Sequence, residues 1–268
     1  MYPAEPTGYE DEPREQFHPL PADLHHLFYH YERLSHELYT EQCYYRTRLQ
    51  GRCRRLLELG CGAGLLANDL QLQGFRVTGI DINLKALSLS QASSGCCLVQ
   101  MDMCELGFKP CFEAALIGQN TLNLLVDQEK ILRCLDEIRR VLVPPGLLLV
   151  HLFCTDDDQL TEPGERLLQF CLFDNPEGGK IIKETIRSFD PDQQVLLLEE
   201  RYKIRHFNPE LADMNYRHHL RLAAISRSGW FKLFNSAGFT VESCTSGFSE
   251  SSPSSASTLH LVAQSAGR

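Results

Sequence analysis

Three carboxylates and one amide stand where short apolar runs of this chain end: Glu58, Asp81, Asp102 and Asn120. Directly after Glu58 the chain reads Gly60-Cys61-Gly62-Ala63-Gly64, with glycine at every second position. A strand that enters a turn free of Cβ atoms brings backbone N–H groups against a ligand that any side chain would hold away. In an open parallel sheet, ligands bind outside the carboxyl ends of the strands, so all four polar residues should face one crevice. Asp81 lies 17 residues beyond Gly64, the span of one helix and one strand. That spacing suits a carboxylate that accepts hydrogen bonds from a ribose diol.

The glycines alone leave two cofactors open. Gly62, Gly64 and Ala67 fit the weaker dinucleotide pattern G-x-G-x-x-A, which admits a nicotinamide cofactor and an NAD(P)-dependent oxidoreductase. Glu58 argues the other way, because its negative charge would stand beside a pyrophosphate. A carboxylate there suits a sulfonium that carries an ammonium group. A non-catalytic binding protein built on the same frame is a third reading.

The elements that must position these residues follow from periodicity. Leu24, Leu27, Phe28, Tyr31 and Leu34 recur at helical spacing, and a second helix holds Leu38, Tyr44, Tyr45 and Leu49. Leu56 to Glu58 is a strand, Leu65 to Leu72 a helix, and RVTGID a strand that ends at Asp81. A helix over Asn83 to Ala92 comes next, then strands that end at Asp102 and Asn120. The helix Gln128 to Leu142 is stopped by Pro144, Pro145 and Gly146, before the strand LLLVHLF. Strand and helix alternate as a parallel sheet with crossover connections requires.

Residues from Thr155 to Ser226 break that alternation and read as three antiparallel strands, the first two joined at Asp190-Pro191-Asp192. A helix over Ser228 to Ala237, two closing strands and a serine-rich loop between them complete the chain. The domain reading is an acidic, poorly ordered tail over 1–20, helices and cofactor-binding core over 21–154, a substrate cap over 155–226, and the closing part of the core over 227–268.

These motifs together resemble the class I S-adenosylmethionine-dependent methyltransferases, over Tyr31 to about Gln264. ELGCGAG is similar to the first family motif, with Glu58 in place of the commoner Asp; GIDIN resembles the second, MDM the third and QNTLN the fourth. The resemblance implies a Rossmann-like α/β fold: a seven-stranded, mostly parallel sheet with helices on both faces and an inserted antiparallel meander as cap. The meander is similar to that of small-molecule enzymes, including sugar N-methyltransferases and glycine methyltransferase-like enzymes.

The resemblance also implies residue roles. Gly60, Cys61, Gly62 and Gly64 would pass beneath the methionine part of S-adenosylmethionine, with Glu58 near its amino group. Asp81 would hold the ribose hydroxyls and Ile82 would lie against the adenine. Asp102 and the Met103 N–H would meet the adenine edge. Gln119 or Asn120 would offer a carbonyl to the ammonium, and Tyr31 would cover the cofactor. Relatives often carry a histidine after Asn123, where this chain has Leu124. If a general base operates, His151, late on the fifth strand, is the first candidate. Asn123, Tyr216, Arg217, His218 and His219 are the candidates for contact with the acceptor or for a base on the cap.

Composition sets outer limits. A formal charge of −9 over 268 residues disfavours a polyanion-binding surface, so nucleic acid is not an expected partner. The eleven cysteines show no zinc-finger spacing, and no metal is expected; reduced thiols in a cytoplasmic protein are. No apolar run has the roughly 18 residues of a membrane span. The partner expected is a small-molecule methyl acceptor, with N- or O-methylation open and a homodimer open.

Overall fold

A computed structural model describes residues 16–35, 38–90, 95–155, 166–246 and 258–265. In chain order, β1 (His18–Pro19) leads into α1 (Ala22–Ser35) and α2 (Leu38–Leu49). Then come β2 (Arg55–Leu59), α3 (Leu65–Leu72), β3 (Arg76–Asp81), α4 (Leu84–Ser88), β4 (Cys97–Gln100) and β5 (Phe112–Ile117). A short 3₁₀ turn, Thr121–Leu124, precedes α5 (Gln128–Val141) and β6 (Leu142–Phe153). Four long strands follow: β7 (Leu167–Asp174), β8 (Gly179–Asp190), β9 (Val195–His206) and β10 (Met214–Ala223). The chain closes with α6 (Arg227–Ser236), β11 (Phe239–Ser246) and β12 (Thr258–Ser265).

The core sheet has seven strands in the order β11-β12-β6-β5-β2-β3-β4. β2 pairs in parallel with both β3 and β5, so the chain leaves β2 toward one edge and returns to its other side. That reversal opens a crevice beyond the ends of β2 and β5, where the glycine turn begins. Alternate residues of the same strands feed two apolar clusters, as the two-residue period of a strand demands. Leu57, Leu59, Ala115 and Ile117 pack with Ile131, Leu135 and Ile138 of α5 and Trp230 of α6. Leu56, Ala114 and Leu116 pack with Tyr45 and Leu49 of α2 and Leu66, Ala67 and Leu70 of α3. Each fully buried leucine or isoleucine among them contributes about 1.5–3 kcal/mol.

The second sheet, β1-β10-β9-β8-β7, is antiparallel except for the β1–β10 pair. Three strands were expected in this segment and four long ones are present. β7 reads LLQFCLFD, nearly continuous in apolar residues, so it lacks the alternation that identifies a half-buried strand. The turn at Asp190 forms as expected, because the Asp190 carboxylate accepts from the backbone N–H of Asp192 and Gln193. α1 lies on this sheet through Phe28, Tyr202, Ile181 and Phe173.

The acidic tail lies outside the described residues up to position 15, and the serine-rich loop lies outside them over 247–257. The final residues of that tail are fixed: the Leu20 N–H donates to the Arg217 carbonyl at 2.8 Å and its side chain is buried. α4 is shorter than expected, ending at Ser88, and residues 91–94 are outside the described set. Arg52, before β2, meets Glu242, and Arg55, its first residue, meets Glu113.

Candidate active site

The crevice widens into a cavity of about 1030 Å³ between the ends of the core strands, α1 and the inner face of the second sheet. Its floor starts at the glycine turn. Gly60, Gly62 and Gly64 all have φ between +55° and +73°, the left-handed region that costs a side chain most. The three differ in what surrounds them. A Cβ on Gly60 would come within 2.3 Å of Thr121 Cγ2, so this glycine lets the turn pass the 3₁₀ segment. A Cβ on Gly64 would press on Leu98 at 3.0 Å, which makes it a helix-start residue rather than a cavity wall. A Cβ on Gly62 would meet nothing within 4 Å and would occupy space at the cavity wall.

Asp81 is held before any ligand arrives. Its carboxylate accepts from the Gly62 N–H at 2.8 Å and from the Asn83 N–H at 2.8 Å. Four or so lone-pair sites on a carboxylate leave capacity for a diol. Ile82, 68% exposed, offers a flat apolar surface beside it. Asp102 and Met103 line the same wall, and the Asp102 carboxylate accepts from the Cys104 N–H at 2.8 Å.

The other end of the floor is acidic and buried. Glu58 is 6% exposed and Glu41, on α2, only 2%. Glu41 accepts from the Gln119 side-chain amide at 3.2 Å. Burial, then Glu58 and Asp81, push the Cys61 thiol far up, so it stays protonated and is no nucleophile. Gln119 and Asn120 both take left-handed backbone, with φ of 51° and 57°, an uncommon cost of the kind that gathers at ligand sites. The Asn120 carbonyl accepts from the Asn123 N–H, and Asn120 Oδ1 is buried with no hydrogen-bond partner among the described residues.

The roof carries charge of both signs. The Lys183 ammonium lies 2.8 Å from Glu32 Oε2 and 2.9 Å from Glu200 Oε1, and His25 Nε2 lies 3.4 Å from Glu200 Oε2. Tyr202 donates its hydroxyl to Glu200 at 3.0 Å. Burial alone would favour neutral Lys183, yet Glu200, Tyr202 and Glu32 hold its pKa above the ordinary lysine range. Burial also opposes the charge on Glu200, but the His25 hydrogen bond and Lys183 bring its carboxyl down to about 2. Both groups are therefore ionised at neutral pH.

The expected cofactor residues largely converge: Glu58, Gly60, Cys61, Gly62, Asp81, Ile82, Asp102, Met103, Gln119 and Asn120 all line the cavity. Tyr31 does not. It packs with the cluster between α1 and the second sheet, while Tyr29 lines the cavity. Two residues along a helix are about 200° apart, so only one of these tyrosines can face inward.

The expected catalytic and acceptor residues fall elsewhere. His151 is buried inside the core sheet, its ring stacked on His260 of β12 at 4.4 Å, and is not on the cavity wall. Asn123 is fully buried; its amide donates to the Phe153 and Ala223 carbonyls and its oxygen accepts from the Phe153 N–H. It is a staple between the 3₁₀ turn, β6 and β10. Arg217 and His219 are exposed, on the face of β10 opposite to Leu220 and Leu222, which line the cavity. Tyr216 packs near Phe28, and the His218 ring lies tilted against His25, with centroids 4.2 Å apart.

Sequence reasoning missed Glu41, His25, Lys183 and Glu200. Glu41 stands at helical spacing with Tyr44, Tyr45 and Leu49, so an acid on the apolar face of α2 was the signal. Lys183 alternates with Ile181 on β8, which places a charge on the inward face.

Residues 57–150 match the family model described as a methyltransferase domain. That segment is similar to a methyltransferase domain. YqeM of Bacillus subtilis is 37% identical over 100 residues, 35% of this chain and 40% of that protein. The cypemycin N-terminal methyltransferase of a Streptomyces species is 30% identical over 114 residues, 41% of this chain and 46% of that protein. These matches span less than half of either relative. The fold aligns with that of an S-adenosylmethionine-dependent methyltransferase from Clostridium acetobutylicum at a TM-score of 0.74 and 13% identity, over 91% of this chain and 100% of the other. It aligns with CalS10 of Micromonospora echinaspora, an amino pentose methyltransferase solved with S-adenosylmethionine bound, at 0.71 and 18%, over 94% and 100%. At these identities the likeness is one of fold.

Proposed function

We propose that this protein transfers a methyl group from S-adenosylmethionine to a small molecule held between the core strand ends and the second sheet. The observation that carries the reading is the charge pattern of one cavity. Its ribose-type carboxylate, Asp81, is fixed by the Gly62 N–H, and buried acids stand at the opposite end of the same floor. Seven carboxylates and four lysine or arginine cations line the cavity as a whole. A pyrophosphate would meet that wall unfavourably, whereas a sulfonium and an ammonium would meet it well.

The residues fit the cofactor on structural grounds. The open space at Gly62 is a cradle that a Cβ would fill, and buried Asn120 Oδ1 is an acceptor without a donor among the described residues. Glu58, Glu41 and Asn120 would hold the ammonium end. With the Asn120 carbonyl already engaged, Gln119 would supply the backbone carbonyl. Asp81 would accept from the ribose, and Ile82, Asp102 and Met103 would meet the adenine. Bound there, S-adenosylmethionine supplies an electrophilic methyl group on a sulfonium.

The rest of the chemistry is positioning. α1 and the second sheet cover the acceptor and exclude water, and an in-line transfer gains most from fixing the two reactants in orientation. A protonated Lys183 and a Glu200 of such low pKa are poor bases. His25, beside Glu200 on the cavity wall, is the imidazole placed to receive a proton from a methylated amine. Label from methyl-tritiated S-adenosylmethionine, followed into small amines and alcohols, tests the reading. Transfer that is lost in Asp81→Ala supports it. Cofactor binding with no transfer to any acceptor would favour a binding protein instead.

A further inference from the structure

Four strong cations face the cavity, and three have visible reasons to do so. Lys183 is neutralised by Glu32 and Glu200. Arg133 bonds Glu105 and the Cys104 carbonyl, and Lys130 is exposed to solvent. Arg187, on β8, differs. Among the described residues its guanidinium makes one hydrogen bond, from Nη2 to Gln169 Oε1 at 2.8 Å, and meets no carboxylate. A guanidinium carries five N–H donors, so most of its capacity is turned to the cavity. Burial, unopposed by any acid, draws its pKa below the ordinary arginine range.

Its neighbours extend the same pattern. Thr185 lies two residues back on the same face of β8, directly across from Gln169 of β7. Because Gln169 Oε1 is taken by Arg187, the amide presents its NH₂ to the space beside the guanidinium. All three residues line the cavity. A half-desolvated cation flanked by an amide donor and a hydroxyl is a receptor for an anion.

We infer that the methyl acceptor carries a carboxylate, which Arg187 binds with help from Gln169 and Thr185. The inference rests on the proposed methyl-transfer reading and names the acceptor class for the same cavity. A carboxylate fits better than a phosphate. The planar guanidinium matches it in two parallel hydrogen bonds, and of the cavity's other cations Lys183 and Arg133 are paired with carboxylates while Lys130 is solvent-exposed. Glu32 and Glu200 nearby would also repel the larger charge. The acceptor is then anchored at its acid end by Arg187, with its nucleophilic atom directed toward the core strand ends.

The test is calorimetric titration of the whole chain, saturated with S-adenosylhomocysteine, using benzoate, benzamide and inorganic phosphate as probes. Benzoate is expected to bind at least about tenfold more tightly than benzamide, a preference that disappears in Arg187→Gln and is partly kept in Arg187→Lys. S-adenosylhomocysteine affinity should be unchanged in both variants, which also shows that they fold. Equal affinity for benzoate and benzamide, or benzoate binding unaltered by Arg187→Gln, overturns the inference. Phosphate binding more tightly than benzoate overturns the choice of a carboxylate. Failure of S-adenosylhomocysteine itself to bind the unaltered chain would instead count against the methyl-transfer reading.

Discussion

The Asp81 carboxylate accepts a hydrogen bond from the Gly62 backbone N–H at 2.8 Å, which ties the end of β3 to the middle of the glycine turn. The side chain therefore does two things: it fixes the turn and it offers its remaining lone pairs to a ligand. Replacement by alanine should weaken S-adenosylhomocysteine binding by about 1–3 kcal/mol, the cost of leaving buried polar partners unmatched. Isothermal calorimetry reads this directly, and an affinity within experimental error of the parent would remove Asp81 from the cofactor site.

Gly60 and Gly62 share a left-handed backbone but should fail differently when substituted. Gly60→Ala drives a methyl into Thr121, so it should lower stability by more than the roughly 1–2 kcal/mol that the backbone strain alone costs. Thr121→Ala in the same chain should recover the excess. Gly62→Ala should carry only the strain yet weaken cofactor binding, because its methyl enters the cavity. Urea unfolding beside cofactor titration separates the two; equal stability losses with equal affinities would contradict the distinction.

Asn123 is a structural staple, so its removal should be felt as unfolding. Asn123→Ala strands the Phe153 and Ala223 carbonyls and the Phe153 N–H in the core, at about 1–3 kcal/mol for the network and more if water does not enter. Chemical denaturation should show the loss. A variant of normal stability with a raised KM for the acceptor would return Asn123 to the substrate site.

His260 makes stability depend on pH. Burial lowers its pKa to about 4 in the folded chain, against an ordinary value near 6.5. A histidine depressed in this way favours folding fully above about pH 6.5, and that advantage is lost as pH falls toward 4. The loss is on the order of 3 kcal/mol. Glu200, held at about 2, keeps its own contribution above the ordinary carboxylate range and loses it only in stronger acid. Melting temperature should therefore decline between pH 6.5 and 4, and His260→Leu should flatten the decline. An unchanged slope in that variant would place the titration elsewhere.

Much of the core was legible because its signals are local. Buried strands such as RLLEL and FEAALI are short, mostly apolar runs, glycines mark the turns, and strand-end acids sit one βα unit apart. The acceptor side was not. Arg217 and His219 were assigned to the cavity, but strand parity decides which residues face inward, and parity depends on a register that only pairing with β9 sets. Tyr29 and Tyr31 differ by a rotation about the α1 axis that its contacts with β8 and β9 determine. His151 does lie on the fifth core strand, yet its neighbour across β12 is another histidine, a contact invisible without the sheet order.

The central claim is that the glycine turn and the acids around it take an S-adenosyl sulfonium cofactor. Its most direct test is calorimetric titration of the unaltered chain with S-adenosylmethionine, S-adenosylhomocysteine and NAD under one set of conditions. The charge pattern predicts saturable one-to-one binding of both S-adenosyl compounds and no measurable heat from NAD. Saturable binding of NAD with none of S-adenosylmethionine would contradict it.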